Sequence, residues 1–139
     1  KFGVEMIGAK VEAIKKAERG TSGEIRVHVK RGATKDALEE SRKLFAKMGM
    51  HRTRERNGVL IFVSKKSHSF AIVGDEGIHA KVGGDFWNDT RDRMQQHFAR
   101  GEWDQAVLAG VESAGEKLKA HFPARKDDRN ELTDEVSQA

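Results

Sequence analysis

Two adjacent acids bracketed by glycines, Gly74-Asp75-Glu76-Gly77, are the residues of this 139-residue chain best suited to chemistry. Hard cations such as Ca2+ and Mg2+ take several oxygen ligands, and neighbouring carboxylates in a glycine-bracketed turn bring side-chain and carbonyl oxygens together. The loop follows an apolar run, Phe70–Val73, which should return antiparallel to Val59–Val63. That places it near Asn57, ahead of one strand, and near Glu24, at the start of another. Glu24, Asn57, Asp75, Glu76 and Asp85 therefore form a candidate metal set. Arg54 and Arg56, just ahead of the same strand, are candidate phosphate ligands. A plainer account suits the same residues: Asp75-Glu76 as a polar turn and the arginines as a solvated basic turn. The twelve-residue calcium-hand loop is absent.

Other chemistries lose ground on residue types. The chain has no Cys, which excludes disulfides, a thiolate nucleophile and Cys-ligated zinc or iron–sulfur sites. His28, His51, His68, His79, His97 and His121 show no HExxH or HxH spacing for zinc. His79 borders the acidic loop and is the imidazole best placed to titrate beside it. There is no D-x-D pair, no R-H-G order and no GxxxxGK[ST] loop. A phosphatase built on this chain would need a bound metal to activate water or polarise the ester. Trp87 and Trp103 read as helix anchors in the core.

The size is that of one domain, with 35% charged and 37% hydrophobic residues. The net charge of +4 is unevenly spread. Residues 1–66 carry 17 Lys/Arg against 8 Asp/Glu (+9), and residues 67–139 carry 9 against 14 (−5). The basic residues are interleaved with acids along helix faces and no nucleic-acid motif accompanies them, so no nucleic-acid partner is expected. No apolar run approaches the roughly 20 residues of a membrane span. A chain beginning at Lys1 leaves room for an upstream signal or anchor, so the compartment stays open.

Several elements must position these groups. Val4, Ile7, Val11 and Ile14 predict a helix over 4–18, with Gly20 as a left-handed cap. Glu24–Lys30 alternates strictly, predicting a strand with Glu24, Arg26, His28 and Lys30 on a wet face. Thr34 is placed to cap a helix to about Met48 that buries Leu38, Leu44, Phe45 and Met48, and Gly49 stops it. Val59–Val63, apolar throughout, predicts a strand covered on both faces and parallel to the first. Ser64–Ser69 is the hairpin link. Asp85 is placed to cap a helix carrying Phe86, Trp87, Thr90, Met94 and Phe98. A last helix runs from Trp103 to Phe122, ended by Pro123. The expectation is a single α/β domain over 1–123, a small mixed β-sheet sandwiched between helices in the order α-β-α-β-β-α-α. Residues 124–139 read as a polar tail, ordered only where Leu132 and Val136 dock.

Thr21-Ser22-Gly23-Glu24-Ile25-Arg26-Val27, Lys47-Met48-Gly49-Met50 before Asn57-Gly58-Val59-Leu60-Ile61, Val73-Gly74 with Gly77-Ile78, and Gly101-Glu102-Trp103-Asp104-Gln105-Ala106 occur in an order that resembles the TPM domain family. The resemblance spans residues 5–122. It implies a Rossmann-like sandwich, acidic loops that bind calcium or another divalent metal in some members, and weak acid-phosphatase activity in some. Many members are anchored to or exported across membranes. Two departures touch the loop: one more residue stands between its glycines, and His79 replaces the family's usual Glu. Asp75 and Glu76 are the available substitutes, and Asp85 best matches the later acid. The alternative is a non-catalytic assembly module that binds a protein partner through the basic 51–56 run and the tail.

Overall fold

The computed structural model describes residues 12–124 and the backbone of 136–138. Helix α1, residues 12–18, buries Ile14; Val4, Ile7, Val11 and Leu132 lie outside the described residues. Strand β1 (Glu24–Lys30) leads to α2 (Ala37–Lys47), a 3-10 turn η1 (Met50–Arg52), and the hairpin β2 (Gly58–Ser64) and β3 (Ser69–Gly74). Then come α3 (Glu76–Lys81), α4 (Asn88–Ala99), α5 (Trp103–His121) and the short β4 (Val136–Gln138). The sheet order is β3-β2-β1-β4, with β2 and β4 parallel to β1 and β3 antiparallel to β2. The expected mixed α/β sandwich is therefore present, with α3 and β4 added to the expected order.

Two layers of side chains explain why this order is stable. Ile25, Val27, Val29, Val59, Ile61, Val63 and Ile72 face α1 and α5, where Ile14, Val107, Val111, Ala114 and Leu118 close one core. The alternate residues face α2, where Phe45 and Met50 pack on Leu60. β2 is thus apolar throughout because both of its faces are covered. The same cover overturns the expected wet face of β1: Glu24 and His28 are buried, and His28 stacks on Phe62 of β2 at 5.8 Å. Burial lowers the His28 pKa, partly offset by Glu40. The edge of β1 is also tied from α1, since the Ile25 N–H donates to the buried Glu18 carboxylate at 2.7 Å.

Other local expectations are corrected. Asp36, not Thr34, caps α2 by accepting from the Glu39 N–H at 3.1 Å, while Thr34 exchanges hydrogen bonds with Ser67 of the hairpin. Leu38 is 40% exposed rather than buried. Left-handed glycines occur at Gly49 and Gly101 and not at Gly20, since a 3-10 turn and a helix restart demand the reversal. Phe86 and Trp87 precede α4 in a turn whose Asp85 carbonyl accepts the Asn88 N–H at 3.1 Å, so Asp85 does not cap the helix as expected. Part of the expected tail is strand: Val136–Gln138 pairs with Val27–Val29.

Gly115 marks where α1 and α5 cross, because a Cβ there would stand 2.6 Å from Ala17 Cβ and 3.0 Å from its Cα. Alanine in a helix gains about 1 kcal/mol over glycine, but overpacking costs about 1–3 kcal/mol. Gly115→Ala is expected to lower stability by about 1 kcal/mol in urea unfolding; a stabilised variant would show that the two helices separate freely.

Candidate functional site

The glycine-bracketed acidic segment is not an open loop. Asp75 is the N-cap of α3, its Oδ1 accepting the Glu76 N–H at 2.8 Å. α3 is held by the turn before β2. Arg56 has φ 52°, a left-handed conformation costly for a side chain other than glycine. That turn aims the Arg56 carbonyl at the Gly77 N–H, which donates to it at 2.8 Å. The approach is close enough that a Cβ on Gly77 would lie 2.0 Å from the Glu55 carbonyl oxygen. Only glycine fits there.

Asp75 is the centre of the site. It is 2% exposed, yet three donors converge on its carboxylate. Arg56 Nε donates to Oδ2 at 3.0 Å and Nη2 to Oδ1 at 3.3 Å; His51 Nδ1 stands 2.8 Å from Oδ1. Burial raises the Asp75 pKa, but the Arg56, Glu76 N–H and His51 hydrogen bonds together outweigh it and leave the carboxyl below the ordinary range. Asp75 in turn raises the Arg56 pKa. His51 Nδ1 also lies 3.1 Å from Arg56 Nη2. That nitrogen carries a proton when it donates to Asp75 and lacks one when it accepts from Arg56.

The remaining candidates divide around this centre. Glu76 is exposed and reaches Arg56 Nη2 at 3.5 Å. Asn57 is buried, donates from Nδ2 to Ser22 Oγ at 3.1 Å, and Ser22 donates to Glu55 Oε2. Asn57 Oδ1 is buried with no hydrogen-bond partner among the described residues. Glu24 and Asp75 stand in one row across the sheet with Gly58 between them, because Glu24 pairs with Gly58 and the Asp75 N–H donates to the Gly58 carbonyl. Two strand spacings put their backbones roughly 9.6 Å apart. Met50 and Phe45 close over the gap, 3.6 and 3.7 Å from where a Gly58 Cβ would stand. Asp85 is exposed in the turn before α4, and Arg54 is exposed ahead of Arg56. His79, singled out beside the loop, is exposed on α3, and His51 is the imidazole that meets the acid. His51 and Glu55 belong to no motif, and Ser22 lies in the Thr21–Val27 stretch with no role assigned to it; only the fold shows their proximity to the candidates. Among the described residues, no three His, Asp or Glu side chains converge as in a preformed metal site.

The sequence model of the TPM domain matches residues 6–117. The chain belongs to the TPM domain family. A solution structure of the BA42 protein from the psychrophilic bacterium Bizionia argentinensis shares 39% identity with this TPM domain. The two superpose with a TM-score of 0.92 over 99% of this chain and 95% of that one. The N-terminal domain of the cg2496 protein from Corynebacterium glutamicum, at 13% identity and a TM-score of 0.62, covers 96% of this chain and 84% of that one and shares the fold. No curated protein matches the chain.

The Asp75 network makes stability pH-dependent with a definite sign. A carboxyl whose folded pKa is depressed stabilises the fold above its unfolded pKa, and that contribution is lost as pH falls through the folded value. Asp75→Asn is therefore expected to be less stable than the parent by about 1–2 kcal/mol at pH 7, allowing for the exposed Arg56. The gap narrows below about pH 4. Urea midpoints across pH 3–7 check it, and a gap that stays constant with pH would remove Asp75 as the group responsible.

Proposed function

We propose that this TPM domain binds a divalent cation, Ca2+ or Mg2+, at Asp75 and Glu76 with Asn57, and that it hydrolyses phosphomonoesters weakly, with Arg54 and Arg56 binding the phosphate. The observation that carries the reading is the mismatch between Asp75 and its countercharge. The carboxylate is 2% exposed, whereas the side chains neutralising it, Arg56 and His51, are 40% and 47% exposed on a surface turn. A buried acid whose countercharges stand largely in solvent is suited to exchanging them for a cation. The donor chemistry fits: two carboxylates and the unpartnered, buried Asn57 Oδ1 are hard oxygen ligands, and Mg2+ keeps several waters of its own. Glu24, across Gly58 on β1, and the exposed Asp85, in the turn before α4, are not part of that group.

When bound, the cation supplies Lewis acidity toward an ester oxygen or a bound water. The chain's own contribution is positional. Asp75 is fixed by the Glu76 N–H at the start of α3, and Arg56 released from it joins Arg54 on one exposed turn, where guanidinium forks match phosphate oxygens. In the non-catalytic alternative the same fold serves as an assembly module for a protein partner.

The decisive experiment is an amide NMR titration with Ca2+ and Mg2+, followed by a chromogenic phosphate ester with and without the metal. Shifts centred on residues 51–57 and 74–79, abolished by Asp75→Asn/Glu76→Gln, are expected, with metal-dependent turnover lost in the same variant. Absence of shifts would overturn cation binding; binding without turnover would leave the assembly-module reading in its place.

A further inference from the structure

The strand β3 forms one edge of the sheet, and its backbone shows which groups point outward. The Asp75 N–H donates to the Gly58 carbonyl, so in this antiparallel pair the residues bonded to β2 are Val73, Ala71 and Ser69. The N–H and C=O groups of Phe70, Ile72 and Gly74 therefore point away from β2, and no hydrogen bond among the described residues satisfies them. Sheet edges are usually blunted by a charge, a proline or a covering segment. The sequence Ser69–Gly74, SFAIVG, contains no charge and no proline. The opposite edge is treated differently, with β4 paired to β1 and Glu18 bonded to the Ile25 N–H.

We propose that β3 pairs antiparallel with β3 of a second copy of this chain, across a two-fold axis at Ile72. The strand is complementary to itself in that register. Ile72 meets Ile72, and Phe70 meets Gly74 of the other copy, so each bulky ring faces a residue with no side chain. The outward groups of these pairs satisfy one another. Phe98 and Trp103, partly buried, extend the apolar surface beside Phe70, with successive ring centroids 4.8 Å apart. The pairing joins two sheets and keeps the helix layers of both copies on matching faces.

Sedimentation velocity on metal-free protein, from about 10 µM to about 1 mM, is expected to show mass rising toward twice the monomer. In parallel, hydrogen exchange read by NMR should show protection of the Phe70, Ile72 and Gly74 amides that grows with concentration, while Ala71 and Val73, already bonded to β2, stay constant. A monomer throughout the range overturns the proposal, as does a dimer that leaves those three amides exchanging as before, or protection independent of concentration. Phe70→Lys should abolish dimerisation. Because Phe70 also packs on Phe98, the exchange measured on the unsubstituted chain decides independently of that variant's folding.

Discussion

The burial of one carboxylate governs the architecture at this end of the sheet. Asp75 cannot be left charged and alone in a nearly dry position, because the cost of an unpaired buried charge amounts to several kcal/mol. Its compensation comes from three separate parts of the chain: the first turn of α3, the 3-10 turn η1 and the turn before β2. Meeting that demand fixes where each of them sits. Arg56 accepts a left-handed backbone conformation, and the same turn presents its carbonyl to the Gly77 N–H. A single electrostatic requirement thus docks α3, orients His51 and places the arginine turn on the surface.

Around that point the sheet is insulated on both faces, which explains the unusual cover of β1. A strand alternating Ile, Val and Val with Glu, Arg, His and Lys would stand half in water on its own. Here α2 and η1 lie over the polar face, so Glu24 and His28 are buried although their residue types are mostly found at surfaces. His28 is accommodated by stacking on Phe62, and burial keeps it inclined toward the neutral form. Gly58, between Glu24 and Asp75, lets Met50 approach the sheet. Met50 and Phe45 thus pack over Gly58, in the row that runs from Glu24 to Asp75.

What could be read in advance follows from range. β2 and its hairpin were legible because apolar runs separated by a short polar link are local signals, and so was the last helix, with its long 3.6-residue period. α3 was not, because its six residues are too few for a period to show, and the glycine within them looks like a loop signal. Its one local clue was Asp75 followed by Glu76, the composition of a helix start as well as of a cation loop. Leu38 shares the helix face of the buried Ser41 and Phe45, but it sits in the first turn of α2, where that face runs out, and stays 40% exposed. The His51–Asp75 contact spans 24 residues and belongs to no motif, so only the folded chain reveals it.

The two edges of the sheet show the same logic acting in opposite directions. At β1 the backbone is closed from within, by a carboxylate from α1 on one residue and by three residues of β4 beyond it. Both devices cost something: Glu18 is a buried acid, and β4 must be brought back from the far end of the chain. At β3 neither device is present among the described residues, although the strand is apolar. α2 covers one face of β3 and Phe98 packs on Phe70 at the other, so side chains shield its faces while its outward backbone groups have no partner among the described residues. Burial of apolar side chains and satisfaction of backbone polar groups are separate requirements. In this fold the first is met fully at Ala71 and Ile72 and in part at Phe70 and Val73 by intrachain packing, and the second is left to whatever lies beyond the edge.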